Sequence, residues 1–245
     1  MTEDLEQLGA EIDAELAECG DAVERASHSG RFVIMASFLR ALFWPYESGF
    51  VEFRAIGNDR AEGRPETKFL PIADLYEGGD KGALKQAYRE CLNANEAGYG
   101  VYMGVLPRAV QRGREVDVTR AGWFWTDVDF KIAGEDAAYD AVFKGENEPD
   151  LVVCSGNGLH AYYHIDDCNY LLDTKEQRTR FKVMLSRFQQ SVQPGMDPVK
   201  DVARILRLPG FYNTKQKDDP KFVSVLRTPP QAFWDGDNWS VRSES

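Results

Sequence analysis

Two aspartates one residue apart, Asp127 and Asp129, close the run Trp123-Phe124-Trp125-Thr126-Asp127-Val128-Asp129. On a β-strand, residues two apart share a face. Trp123, Trp125, Asp127 and Asp129 are therefore expected on one side, with Phe124, Val128 and Phe130 turned into a core. Two carboxylates held this close repel each other, and burying them is costly unless a cation lies between them. Divalent ions about 3.5–4 Å apart on such carboxylates can activate an attacking oxygen and stabilise a leaving one in phosphoryl transfer. A solvated strand face would show the same spacing, so the reading needs support from elsewhere in the chain.

That support begins at Ser155-Gly156-Asn157-Gly158-Leu159-His160. Glycines at 156 and 158 permit positive φ and let a backbone come close to phosphate. His160 opens the strand that follows, where it could donate to a triphosphate oxygen, and His160, Tyr162 and His164 share a face of it. An ordinary hairpin with a surface histidine is the plainer alternative. A zinc site from Cys154, His160, His164 and Cys168 is a weaker alternative, because the spacings match no standard site and a strand face does not gather these four tetrahedrally.

A third group lies in DPVKDVARILRLPGFYNTK, residues 197–215. Asp197 before Pro198 is a good helix N-cap with proline at the first helical position. It is equally placed to be a third metal-binding carboxylate, with Asp201 as the second choice. Read as helix, the run Val199–Leu206 puts Arg204 and Arg207 on neighbouring parts of one face, and Pro209-Gly210 stops it. Arginines there, with Asn213 and Lys215 following, suit phosphate, or else pair with Asp197 and Asp201.

The elements that must position these residues follow from periodicity and punctuation. Residues 4–27 form an amphipathic acidic pattern, closed by Ser27–Gly30. Phe32–Phe43 is a second helical run, Gly49–Gly57 alternates like a strand, and 58–68 is a charged loop. Residues 71–77 and 81–97 look helical. From Gly98 the pattern turns to β: strands at 98–108, 121–130, 150–154 and 159–165, a helix at 174–190, and alternation again at 222–226. The fold class is α+β, with an N-terminal acidic helix over 1–29, one domain over 30–230, and a polar tail over 231–245.

The bulk numbers bound the function. Hydrophobic residues at 43% and charged residues at 28% describe an ordinary globular chain. No apolar run approaches a membrane span, and the acidic N-terminus resembles no targeting peptide, so a cytoplasmic protein is the expectation. Cys19, Cys91, Cys154 and Cys168 form no CxxC pair, which fits free thiols in a reducing compartment. A net charge of −11 argues against a module that merely coats nucleic acid. It is compatible with an enzyme whose basic residues gather in one cleft.

Taken in order, the strand aspartates, the small-residue turn ending in His160, and the late aspartate resemble the archaeo-eukaryotic primase superfamily, and within it the primase-polymerases of plasmids, prophages and related mobile elements. RLPGFYNTK, FLRALF, GFVEFRAIG and GYGVYMGVLPR extend the likeness over roughly residues 30–227. The resemblance implies an N-terminal α/β unit (30–97) packed with a metal-binding part like an RNA-recognition-motif sheet (98–230). It implies two Mg²⁺ or Mn²⁺ ions on Asp127, Asp129 and Asp197. His160, Arg204 and Arg207 would hold the triphosphate of an NTP or dNTP, helped by Ser155, Gly156 and Lys215, over a single-stranded DNA template. A helicase or accessory primer-handling domain is an expected partner, and no membrane is. Two alternatives stand beside it: a metal-dependent nuclease or relaxase-like enzyme using Tyr162 or Tyr163, and a non-catalytic nucleic-acid-binding module of the same fold.

Overall fold

The computed structural model describes residues 22–57, 66–76, 79–165, 170–194, 198, 201–228, 233–234 and 239–240. The acidic segment before residue 22, Cys19, Cys168 and Asp197 lie outside the described residues.

The described residues begin with helix α1, Ala22–Phe43. It runs straight through Ser27–Gly30, where a break was expected. An interior glycine costs a helix only about 1 kcal/mol, and burial of Phe32, Met35, Phe38, Leu39, Leu42 and Phe43 along the helix outweighs that. Strand β1, Phe50–Ile56, then pairs antiparallel with β2, Glu66–Pro71, and a 3-10 turn follows at Ile72–Leu75. β2 replaces the end of the expected charged loop. Its first three residues are exposed, so no alternation marks it, and the β1 backbone supplies the reason for its shape. Helix α2, Lys81–Glu96, starts where Asp80 caps the amides of Gly82 and Ala83.

Strand β3, Gly100–Gly104, pairs with β1 on one side and with β9, Ile205–Arg207, on the other. The first sheet is thus β2-β1-β3-β9. A helix expected over 199–206 is therefore not formed across its described part. Residues 201–204 make a turn, and Ile205–Arg207 complete the open edge of β3, with the Val105 amide donating to the Arg204 carbonyl and the Leu208 amide to the Val101 carbonyl. Sheet membership also crosses the division expected at 97/98, because β3 joins β1 and β2.

The second sheet has the order β12-β6-β7-β5 and is antiparallel throughout. It is built from β5 (Trp123–Asp129), β6 (Leu151–Cys154), β7 (Gly158–His164) and β12 (Ser224–Arg227). The short strands β4 (Arg120–Ala121) and β8 (Tyr170–Leu171) pair with each other, as do β10 (Tyr212–Asn213) and β11 (Lys221–Phe222). In the tail, Phe233–Trp234 pairs with Trp239–Ser240. A helical turn α3, Phe130–Ala133, and helix α4, Glu135–Phe143, follow β5; helix α5, Lys175–Val192, carries a capping box between Thr174 and Gln177.

The main core is shared by both sheets. Val51, Phe53, Val101 and Met103 from the first sheet pack in one cluster with Trp123, Trp125, Leu151, Val153 and Tyr162 from the second, around the apolar face of α1. The two tryptophans are fully buried packing residues, and the Trp123 indole donates to the Leu42 carbonyl at 2.7 Å. On the other side, Val128 lies in a smaller cluster with Ala138, Val142, Leu159 and Ala161, and Phe124 and Phe130 pack against it. The alternation expected for β5 is the one observed.

Candidate active site

The carboxylates emerge where β5 leaves this core. Asp127 lies opposite His160, and Asp129 opposite Gly158. The hairpin between β6 and β7 leads into the strand that carries His160: Ser155 donates through its amide (2.9 Å) and its hydroxyl (3.0 Å) to the Gly158 carbonyl. Gly156 adopts φ +85°, and a Cβ there would stand 2.6 Å from Cβ of Lys221. Gly158 is required for a different reason, close approach: a Cβ would fall 2.4 Å from the Val128 carbonyl oxygen.

A cleft of about 290 Å³ opens at this point between the two sheets. It is lined by Asp127 and Asp129 from β5, Ser155, Asn157 and Gly158 from the turn, and His160 from β7. Tyr102 of β3, Arg204 to Arg207, Asn213 and Lys215 complete it. Among the expected site residues, Asp127, Asp129, Ser155, His160, Arg204, Arg207 and Lys215 are therefore brought together. Gly156 shapes the turn without lining the cleft. Asp201 does not line it either: its carboxylate accepts from the Ala203 amide at 2.9 Å and its carbonyl from the Arg204 amide, so it organises a turn.

Within the cleft the charges are paired in a specific way. Asp127 Oδ2 accepts from Nη2 of Arg204 at 2.8 Å, while Oδ1 faces Nε2 of His160 at 3.6 Å. Asp129 caps α3, accepting from the Lys131 amide at 2.7 Å. His160 is 4% exposed and its Nδ1 has no hydrogen-bond partner. Burial holds its pKa below the ordinary histidine value; Asp127 opposes this, and Arg207 and Arg204 reinforce it. The Arg207 guanidinium lies 4.7 Å from the centre of the Tyr102 ring, its directly paired neighbour across β3 and β9. Its Nη1 is buried and makes no hydrogen bond, and it lies on the Gly100 side of the Tyr102 ring. Asn213 ties the turn to the following segment: Nδ2 donates to the Ser155 carbonyl at 2.8 Å, and Oδ1 accepts from the Lys215 amide.

Tyr102 and Asn157 had no role in the reading of the sequence. Asn157 was visible in the turn, but Tyr102 enters only through the β3–β9 pairing. Among the described residues the remaining constellations do not form. Cys154 pairs in register with Leu159, on the opposite face from His160, and His164 packs between the rings of Trp44 and Trp123. Tyr162 is fully buried with its pKa raised well above 10, and Tyr163 is 5% exposed with its pKa raised by burial to about 12. Neither phenol is accessible as a nucleophile.

Against solved structures, the chain superposes on the AEP domain of the primase-polymerase of cyanophage S-2L with a TM-score of 0.54. The match covers 82% of this chain and 93% of that one at 13% sequence identity. The chain shares the fold of that primase-polymerase domain. Two structures of the primase RepB', one of them of its catalytic domain with initiator DNA, match at 16% identity and a TM-score of 0.48 each. They cover 79% and 80% of this chain, which in turn covers 56% and 85% of theirs. No family model and no curated protein matches the sequence. On the primase-polymerase fold, the cleft described above lies between the two sheets, and no helix of the described residues is long and apolar enough to cross a membrane.

The donor set bears on whether divalent ions fit. Asp127 and Asp129 offer hard oxygen ligands from one rigid strand, which suits Mg²⁺ or Mn²⁺. Among the described residues no group of three or more potential ligands converges on one point. Of the three carboxylates expected to hold metal, Asp127 and Asp129 are brought to one cleft, and Asp197 is outside the described residues. In their present pairing, Arg204 supplies the counter-charge to Asp127.

Proposed function

We propose that this chain is a DNA primase-polymerase, joining nucleotides on a single-stranded DNA template with the help of two Mg²⁺ or Mn²⁺ ions. The observation that carries the reading is the juxtaposition of Asp127 and Asp129 with Arg204, Arg207, His160 and Lys215 in one cleft of a primase-polymerase fold. Carboxylates for cations and cationic groups for phosphate, gathered in one cleft, are what an incoming nucleoside triphosphate requires.

Bound to Asp127, Asp129 and Asp197, the ions would activate a primer or initiating 3′-hydroxyl and take up charge on the leaving pyrophosphate. The chain's own residues would do the rest. Arg207, held on Tyr102 at the cleft wall, would bring its guanidinium charge to the triphosphate. Lys215 adds a flexible charge, and the Ser155–Gly158 turn brings backbone close to phosphate oxygens. His160, kept neutral by burial, can donate one hydrogen bond without adding a charge. The setting would be replication of a plasmid, phage or related element, in the cytoplasm, with a helicase or primer-handling domain acting alongside.

The test is strand synthesis on single-stranded DNA with labelled NTPs or dNTPs and Mg²⁺ or Mn²⁺, comparing the intact chain with Asp127→Ala/Asp129→Ala. Products from the intact chain that vanish in the folded double variant are expected. Shortening of a labelled strand in place of extension would favour the nuclease reading, and DNA binding without either would favour the binding module. The inaccessibility of Tyr162 and Tyr163 speaks against a tyrosine-dependent cleavage mechanism.

A further inference from the structure

Away from the cleft, Glu52 and Arg108 form an ion pair in which both side chains are 0% exposed. Arg108 Nε donates to Glu52 Oε2 at 2.6 Å, and the other carboxylate oxygen accepts from Arg54 at 2.5 Å. A buried pair of this kind contributes little net stability, since well-packed apolar residues of similar volume do as well or better. Its geometry is specific in another way. Arg108 Nη2 extends to the carbonyl of Ala203 at 2.9 Å, the residue before Arg204. Gly104 makes room for this reach: a Cβ there would stand 3.0 Å from Nη2 and 3.2 Å from Cζ of Arg108. The same turn is held on its other sides by Asp201 and by the Val105 amide, which donates to the Arg204 carbonyl at 3.0 Å.

We propose that the buried Glu52–Arg108 pair is a positioning device for Arg204, fixing the 201–204 turn so that the Arg204 guanidinium stands on Asp127 and over the cleft. Three segments distant in sequence meet here: β1 supplies the carboxylate, the segment after β3 the guanidinium, and the segment before β9 the carbonyl it holds. The consequence for nucleotide binding rests on the function proposed above; the consequence for the order of the Arg204 side chain does not.

The experiment uses the full chain and three changes. Glu52→Leu/Arg108→Met removes the device while keeping apolar volume, and leaves the partly exposed Arg54 free to reach water. Gly104→Ala pushes on the guanidinium without uncovering a charge, and serves if the double variant does not fold. Arg204→Ala identifies the Arg204 side-chain signal and closes a double-mutant cycle. The first readout is the Nε–Hε NMR signal of Arg204: a single sharp resonance in the parent, broadened or shifted toward the free-arginine position in the variants. The second is the dissociation constant of dGTP with Mn²⁺ by calorimetry: roughly tenfold weaker in the double variant, as loss of a charge-assisted contact implies, with no further weakening when Arg204→Ala is added. An unchanged Arg204 signal overturns the proposal, as does additive weakening with Arg204→Ala, whatever happens to the melting temperature. Failure of the parent to bind nucleotide would instead remove the function proposed above, with the NMR comparison still deciding the role of the pair.

Discussion

Arg204 stands on Asp127, Nη2 to Oδ2 at 2.8 Å, so a guanidinium occupies one of the oxygens that a metal ion would need. Cation and arginine compete for the same lone pairs. Both side chains are partly exposed, and solvent screening limits such a pair to about 1 kcal/mol. Arg204→Ala is therefore expected to tighten Mn²⁺ binding in the absence of nucleotide by roughly fivefold. The same change should weaken dNTP binding, because Arg204 is one of the cations proposed to hold the triphosphate. Mn²⁺ titration followed by electron paramagnetic resonance, with and without nucleotide, separates the two effects; equal Mn²⁺ affinities in parent and variant would show that the pair does not restrain the metal.

His160 gives a pH dependence with a definite sign. Burial lowers its pKa in the folded chain below the unfolded value of 6.5. Below pH 6.5 the unfolded chain therefore binds a proton that the folded chain refuses, and stability falls as pH falls, levelling off only beneath the folded pKa. Above pH 6.5 both states are neutral and the contribution is flat. Urea unfolding between pH 5 and 7.5 should show a steeper acid-side loss for the parent than for His160→Gln, which has no proton to take up. Parallel curves would mean that Asp127 fully offsets burial, and a shallower loss in the parent that Asp127 outweighs it.

The strand chemistry was legible because it is local. Alternation in β5 orients Asp127 and Asp129, and the short SGNG connection folds β7 back on β6; the β5–β7 pairing then sets His160 opposite Asp127. What the sequence could not carry is long-range pairing. Ile205–Arg207 is apolar and cationic enough to pass for the end of a helix, and only the unpaired edge of β3, about a hundred positions earlier, makes it a strand. With that pairing come Tyr102 beneath Arg207 and the removal of Asp201 from the cleft. Helix α4 was missed because Glu135–Phe143 reads as an acidic surface stretch, and its small apolar face, Ala138 and Val142, has meaning only against Val128 and Leu159. The Glu52–Arg108 pair is invisible for the same reason: Glu52 sits in an alternating strand where every rule places a charge outward.

Gly158 separates a backbone need from a chemical one. It lies opposite Asp129, and any side chain would drive into the Val128 carbonyl. Backbone cannot yield as a flexible side chain would, so Gly158→Ala should cost about 1–3 kcal/mol, the usual range for overpacking. Strand synthesis should fall further than stability does, since the shift required moves β7 against β5 beneath both aspartates. Chemical denaturation gives the first quantity and primer extension on the folded fraction the second. A variant that loses stability alone would show that the aspartates tolerate a displaced β7.

Asn213 makes the last separable prediction, because its two ends do different things. Nδ2 holds the Ser155 carbonyl in the turn between β6 and β7, and Oδ1 holds the amide of Lys215. The side chain is 3% exposed, so deleting it strands buried partners and should cost about 1–3 kcal/mol. Asn213→Asp keeps an acceptor for Lys215 but turns the other end into a carboxylate facing a carbonyl, which repels. If the clamp on the turn is what matters, Asn213→Asp will lose nucleotide affinity as fully as Asn213→Ala. If presentation of Lys215 matters, Asp will retain most of the affinity that Ala loses. Melting temperatures and Mn²⁺·dNTP titrations on the two variants decide between these, and unchanged affinity in both would remove Asn213 from the site altogether.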